Sequence, residues 1–211
     1  REIKQLERKV KRAEKMAAIG ELAASVAHEI RNPLSSIRGF AQYLQHFLKN
    51  NPQEQEYTRM MISEVDRVNR VVTDLLTFAR PMDAVRKMTN VEALIKKAVR
   101  LTKSDTESKN VSVMMSVQVP GHEFLLDENQ MLQVLLNLLL NAIQAVESGG
   151  HIEIGCNIDA ENNKLAIWIE DDGIGMDSAT REKLFTPFFT TKELKGTGLG
   201  LSICDKILQT H

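Results

Sequence analysis

The sequence contains no run of about 18 apolar residues, the length a membrane-crossing helix needs. Its longest apolar block, Met131 to Val146, is interrupted by Gln133, Asn137, Asn141 and Gln144. Nothing at the start reads as a signal peptide. Cysteine is scarce. Cys156 and Cys204 stand far apart without metal-ligand spacing, and read as reduced thiols of a cytosolic protein. An excess of one charge is absent too: the formal net charge is −1, which argues against broad non-specific binding to nucleic acid. Aromatic residues make up only 5%, so Leu, Val, Ile and Met must build the core. Hydrophobic residues still make up 43% of 211 residues, enough for one large or two modest domains. Boundary signals are missing at both ends, where Arg1 lacks an N-cap and His211 a glycine stop, so a fragment of a longer chain is expected.

What is present begins with helical patterns. Over residues 1–18, Ile3, Leu6, Val10, Ala13 and Ala17 recur at 3–4 spacing, which suits a coiled-coil connector or a solvated helix with charged flanks. The pattern runs on into Val26-Ala27-His28-Glu29-Ile30-Arg31-Asn32-Pro33. At about 100° per residue, Ile19, Leu22, Ile30, Ile37, Phe40, Ala41, Leu44 and Leu48 fall within roughly 60° of Val26, with Leu34 close by. His28 lies about 200° away, and Asn32, one turn on, shares its face. An imidazole held out to solvent beside a carboxylate can be oriented and deprotonated by it while the other ring nitrogen attacks an electrophile. Most exposed histidines do nothing, so the face alone assigns no role. Pro33 costs about 3 kcal/mol inside a helix, which implies a kink or a break. The stripe continues in phase to Leu48 and favours the kink.

A turn signal at Asn50-Asn51-Pro52 separates this helix from a second, from about Gln53 to Arg80-Pro81. The second carries Tyr57, Met61, Val65, Val68, Val72, Leu75 and Ala79 at steps of three and four. One hairpin cannot bury two such broad stripes, but pairing with a second copy into a four-helix bundle can. Residues 81–90 read as a linker. Beyond it the pattern becomes α+β: a helix from Val91 to about Thr102 after the N-cap Asn90, strands over 111–119 and 122–126, and a helix over 127–147. Asp127 caps that last helix, with Gln130 completing a capping box. Strands over 152–158 and 164–170 follow, in a mixed sheet covered by helices on one face.

The helix over 127–147 is apolar nearly all round except for the stripe Gln133, Asn137, Asn141 and Gln144. Amides in place of Glu and Lys suit a partly buried site with directed hydrogen bonds, and an Asn oxygen is a hard ligand for Mg²⁺ beside phosphates. Asp171-Asp172-Gly173-Ile174-Gly175 ends a strand, and reads equally as a ligand-binding loop or an ordinary turn. Gly196-Thr197-Gly198-Leu199-Gly200 opens a helix and can aim N–H groups at phosphate, although it is neither a Walker A loop nor a Rossmann fingerprint. Between them, Phe185-Thr186-Pro187-Phe188-Phe189-Thr190-Thr191-Lys192 is either a packed core turn or the anchor of a lid.

In this order, the stretches resemble the sensor histidine kinases. His28 to Pro33 resembles their H box, Gln133 to Ala142 the N box, Asp171 to Gly175 and Gly196 to Gly200 the two glycine boxes, and Phe185 to Phe189 the F box. The wording of the H box and of Thr186 to Lys192 is similar to that of kinases of spore-forming bacilli, which makes sporulation the expected pathway. The resemblance implies a multidomain chain: a connector at 1–18, a dimerising phospho-acceptor domain at 19–80 that forms the four-helix bundle, a linker at 81–90, and a Bergerat-type α+β ATP-binding sandwich at 91–211. The short lid and the closing strands missing after the last helix depart from the family pattern.

The implied roles are these. His28 takes the γ-phosphoryl group of ATP, and Glu29 orients and deprotonates it. Asn141 ligates Mg²⁺, with Asn137 near the phosphates. Asp171 receives the adenine amino group, Gly173 and Gly175 give the base room, and Gly196, Gly198, Gly200 and Lys192 belong to the phosphate end. Asn32 can orient water for dephosphorylation of the partner, or it merely tolerates the bend before Pro33. The implied partners are a second copy, the receiver domain of a response regulator, inhibitor proteins and an upstream sensor module, with no nucleic acid. The implied setting is the cytoplasmic portion of a membrane-anchored sensor. Two other classes compete: a nucleotide-gated scaffold without phosphotransfer, and a Bergerat-fold ATPase, which would need a Glu where Asn137 stands.

Overall fold

The computed structural model describes Ala27 and residues 29–48, 51–79, 83–159, 164–191 and 196–211. The connector at 1–18, His28 and Lys192 lie outside the described residues. The chain divides into two compact units, Arg1–Pro81 and Met82–His211.

The first unit is a helical hairpin. Helix α1 is continuous over residues 29–47, so Pro33 does not break it. Proline withholds one N–H from the ladder. Nearby, the Ser35 and Ser36 hydroxyls donate to the carbonyls of Arg31 (2.8 Å) and Asn32 (3.3 Å), a back-bonding that bends helices. Asn32 is itself helical and exposed, so the extended preference of a residue before proline is overridden here. Helix α2 (Pro52–Ala79) starts where Asn51 Oδ1 accepts the N–H groups of Gln53 (3.2 Å) and Glu54 (3.4 Å). Pro52 takes the first helical position, where its missing N–H costs nothing.

Ala27, Val72 and Leu76 form a buried cluster with Ile30, Val68 and Leu75 packed around it. Ala41, Thr58 and Val65 are buried farther along, and Arg38 Nε pairs with Asp66 Oδ1 at 2.9 Å across the hairpin. Only part of each stripe is covered within one chain. Ile37, Phe40, Leu44, Tyr57, Met60 and Met61 stay exposed, Phe40 at 69%.

The second unit holds two sheets. Strand β1 (Lys87–Asn90) pairs antiparallel with β3 (Glu123–Leu126), Lys87 opposite Leu126. The stretch 81–90 is therefore not a plain linker: its last four residues are a strand. Nothing local marks Lys-Met-Thr-Asn as one, because its pairing partner lies over thirty residues on. Helix α3 (Val91–Leu101) follows at once, capped by Asn90 Oδ1 on the Ala93 N–H at 2.8 Å. It buries Val91, Leu94, Ile95 and Ala98.

A short helix α4 (Lys103–Lys109), absent from the sequence-based expectation, comes next; its polar sequence shows no apolar stripe and only Thr106 is buried. The main sheet has the order β2-β4-β5, with β2 (Ser112–Val117) parallel to β4 (His151–Asp159), and β4 antiparallel to β5 (Lys164–Asp171). Ile152, Ile154 and Cys156 point alternate side chains of the central strand into the core. Helix α5 (Glu128–Ala145) buries Met131, Val134, Leu135, Leu139, Ala142 and Ile143. A short α6 (Ser178–Lys183), also unexpected, is capped by Asp177; α7 (Gly200–Thr210) buries Ser202, Ile203, Cys204 and Ile207. Among the described residues, no helix is long and apolar enough to cross a membrane.

Candidate functional site

Helix α5 organises the site. Its start is fixed by Asp127, whose Oδ1 accepts the N–H groups of Asn129 and Gln130, both at 3.0 Å. The expected capping box is half formed. Gln130 reaches instead to the carbonyl of Asp83, at 3.4 Å, and the Asp127 N–H donates to His211 Nε2 at 3.0 Å. Along the helix, Gln133, Asn137 and Asn141 are half-buried and Gln144 is exposed.

Asn137 Nδ2 donates to the carbonyl of Gly200 (3.3 Å) and lies 3.7 Å from Cys204 Sγ. Asn137 and the first turn of α7 therefore meet. Burial pushes the Cys204 thiol up to about 11, so it stays protonated beside the amide. At the start of α7, Leu199 has no side-chain oxygen to cap the helix, and its own N–H donates to Thr197 Oγ1 at 3.2 Å.

The far end of α5 meets the first glycine loop. Ile174 N–H donates to the Ala145 carbonyl at 3.2 Å, and Asp171 Oδ1 accepts the Gly173 N–H at 3.1 Å. A Cβ on Gly173 would lie 2.6 Å from the Ala145 carbonyl carbon, so the loop sits against the helix end with no room for a side chain. Asp171 is exposed at the end of β5, and Gly175 is exposed with a φ of +66°. The neighbouring Asp172 accepts the His151 N–H at 2.8 Å and faces His151 Nδ1 at 3.1 Å, and these bonds hold its carboxyl below the usual range.

A backbone clasp joins the phenylalanine stretch to the second glycine loop. Phe188 N–H donates to the Gly198 carbonyl at 2.9 Å. Both residues have positive φ, 66° and 65°, and a Cβ on Gly198 would come within 2.4 Å of the Phe188 backbone. Phe185 and Phe188 are exposed, at 56% and 61%, so the stretch is not a packed core turn. Gly196 is exposed, at the edge of the described loop.

The structure thus brings Asn137 and Gly200 together beside one part of α5, with Gly198 clasped to Phe188, and Gly173 beside the helix end with Asp171 bonded to it. Glu29 and Asn32 are exposed helical residues of the other unit. One contributor escaped the sequence: Lys109 Nζ donates to the carbonyls of Ile143 (2.9 Å) and Gln144 (3.0 Å), holding the C-terminus of α5. Its only local signal is a lysine at the end of a polar segment, which names no partner. Among the described residues, no cluster of three His, Cys, Asp or Glu could hold a metal ion. Asn141, half-buried on the amide stripe with Gln133 and Asn137, carries an amide oxygen, a hard donor of the type Mg²⁺ takes beside phosphates and water.

Two family descriptions match. Residues 18–83 match the His Kinase A (phospho-acceptor) domain, and residues 126–211 the histidine kinase-, DNA gyrase B- and HSP90-like ATPases. The chain is 37% identical over 208 residues to the signal transduction histidine-protein kinase AtoS of Escherichia coli (strain K12), covering 99% of this chain and 34% of AtoS. It is 33% identical to sporulation kinase A of Bacillus subtilis (strain 168), covering 100% of this chain and 34% of that kinase. The chain therefore spans about a third of the length of these relatives. Kinases named for sporulation and kinases that are not match over the same span, so the match reports family and not pathway. Among solved structures, the catalytic domain of histidine kinase ThkA aligns with a TM-score of 0.54 at 32% identity, covering 61% of this chain and 81% of that one. ThkA in complex with the response regulator protein TrrA aligns with a TM-score of 0.64 at 29% identity, covering 98% of this chain and 59% of that one.

Proposed function

Because the chain belongs to the sensor histidine kinase family, we propose that it is the kinase portion of a two-component sensor, binding ATP with Mg²⁺ and phosphorylating its own His28. The observation that carries this is the single amide-lined helix α5. Asn137 meets Gly200 there, and Ala145 meets Gly173, so two glycine loops distant in sequence converge on one helix. Asn141 would hold the Mg²⁺, which when bound neutralises phosphate charge. Asp171 accepts from the adenine amino group. The N–H groups at the start of α7, with Gly196, Gly198 and Lys192, serve the phosphates.

In the transfer, a His28 ring nitrogen bonds to the γ-phosphorus as the bond to the β–γ bridging oxygen breaks. ADP leaves, and the ring proton passes to Glu29. Such transfer demands positioning and charge neutralisation more than covalent help. The phosphoryl group then moves to an aspartate of a response regulator receiver domain. The exposed apolar face around Phe40, Leu44, Tyr57 and Met60 pairs with a second copy to complete a four-helix bundle. Asn32, exposed and helical one turn after His28, orients water for removing phosphate from the regulator. The whole protein adds a sensor module and a membrane anchor.

Incubation with γ-labelled ATP tests this against its rivals. A kinase leaves label on the protein, a nucleotide-gated scaffold leaves ATP unconsumed, and a Bergerat-fold ATPase releases free phosphate. Asn137 in place of a general base disfavours the last.

A further inference from the structure

The helices α5 and α7 exchange side-chain bonds. Val134 and Asn137 lie one turn apart on α5, and Gly200 and Cys204 one turn apart on α7. Asn137 Nδ2 donates to the Gly200 carbonyl at 3.3 Å and faces Cys204 Sγ at 3.7 Å. Cys204 in turn directs its S–H to the Val134 carbonyl at 3.9 Å. Cys204 and Val134 are both buried.

A thiol has one hydrogen to give and lone pairs to receive. The Val134 group it faces is a carbonyl, an acceptor only, so the Cys204 hydrogen points there and the sulfur is left as the acceptor for Asn137. Burial keeps that hydrogen in place, holding the thiol up at about 11. The sense of the Asn137 amide follows. The Gly200 carbonyl and the Cys204 sulfur both face Nδ2, and turning the amide over would set its oxygen against the carbonyl oxygen. The nitrogen is therefore committed to α7, and the oxygen is the group Asn137 offers to a ligand. An amide oxygen repels phosphate oxygens but suits Mg²⁺ or a water bound to it.

We propose that Cys204 is a positioning residue for the metal end of the nucleotide, its sulfur holding the Asn137 amide with the nitrogen toward α7 and the oxygen available to the shell of Mg²⁺. The inference rests on the kinase reading above.

Three substitutions separate the bond from the packing. Cys204→Val keeps the space filled and apolar but offers Asn137 no acceptor. Cys204→Ala removes the acceptor without adding volume. Cys204→Ser restores donor and acceptor, at a cost in apolar surroundings. In the full chain, Mg·ATP affinity by titration calorimetry should fall about fivefold in Cys204→Val and Cys204→Ala, the worth of one hydrogen bond, and stay within about twofold of the parent in Cys204→Ser. ADP titrated in EDTA, without metal, should bind all four proteins alike. Urea unfolding should give a different ranking, with Cys204→Ser less stable than Cys204→Val. Asn137→Ala should weaken Mg·ATP binding by itself, and adding Cys204→Val to it should cost nothing more.

Parental Mg·ATP affinity in both Cys204→Val and Cys204→Ala would overturn the proposal. So would an equal loss for metal-free ADP, or a Cys204→Ser variant as weak as Cys204→Val, since the thiol would then serve packing alone. These outcomes refute only the role of Cys204. A parent that binds no nucleotide, or whose ATP binding ignores Mg²⁺, would refute the reading of the site and the proposal with it.

Discussion

Gly173→Ala isolates the contact between the first glycine loop and α5. The φ of Gly173 is not positive, so the new methyl meets a lack of space and not a forbidden conformation. It would stand 2.6 Å from the Ala145 carbonyl carbon and 2.7 Å from both the Ala145 oxygen and Asp171 Oδ1. Two of these atoms are backbone, so no side chain can swing aside. To reach ordinary contact near 3.5 Å, the loop must retreat by about 0.9 Å. Such overpacking costs about 1–3 kcal/mol, and stretching the Ile174 N–H to Ala145 bond adds about 1 kcal/mol. The variant relaxes by moving the loop away, and nucleotide binding must then restore it. A total of about 2–4 kcal/mol corresponds to roughly 30- to 900-fold weaker Mg·ATP binding.

Gly121→Ala is the control. Its φ is +75° with open space around it, in the turn between β2 and β3, where its N–H donates to Glu92. It should lower stability by about 1 kcal/mol through left-handed strain and leave nucleotide affinity unchanged. Isothermal titration of parent and both variants gives the comparison. Parent-like affinity in Gly173→Ala, or an equal loss in Gly121→Ala, would refute the claim that loop and helix form one nucleotide site.

Three further outcomes follow from the same geometry. Lys97 and Lys87 push the Glu128 carboxyl down from 4.5 to about 2, so its ion pairs stabilise the fold fully above about pH 4.5 and are lost as pH falls toward 2. Urea unfolding should separate the parent from Glu128→Gln at about pH 6, with the gap shrinking in acid and in high salt; a gap independent of pH would contradict this. Light scattering should give twice the chain mass, and Phe40→Glu, at a position 69% exposed in one chain, should shift the protein to monomer; a monomeric parent would remove the bundle. Asn32→Ala should slow dephosphorylation of the regulator and spare labelling of His28; equal phosphatase rates would leave Asn32 without a chemical role.

The helices and the amide stripe were legible in the sequence because both depend on local periodicity. Asn90, Asp127 and Asn51 cap helices where short-range chemistry places them. What was hidden depends on distant partners. Lys87–Asn90 is a strand only because Glu123–Leu126 lies beside it. The return half of the capping box at Gln130 is missing because His211 takes the Asp127 N–H and Asp83 takes the Gln130 amide, and neither is visible from a spacing of three. The polar helices α4 and α6 bury too little to leave a stripe. The candidate site shows the same division. Asn137, Asp171 and the glycines stood out as motifs, whereas the reason Gly173 must be small, the Ala145 carbonyl, appears only once α5 and β5 are packed.

The central claim, that bound ATP is spent on His28, is tested most directly by labelling with γ-³²P ATP and mapping the phosphopeptide. The parent should carry label that is stable in base and lost in acid, as a phosphoramidate is, on the peptide containing His28. His28→Ala should bind Mg·ATP with parental affinity and carry no label. Label that persists in His28→Ala, or that resists acid in the parent, would contradict the account.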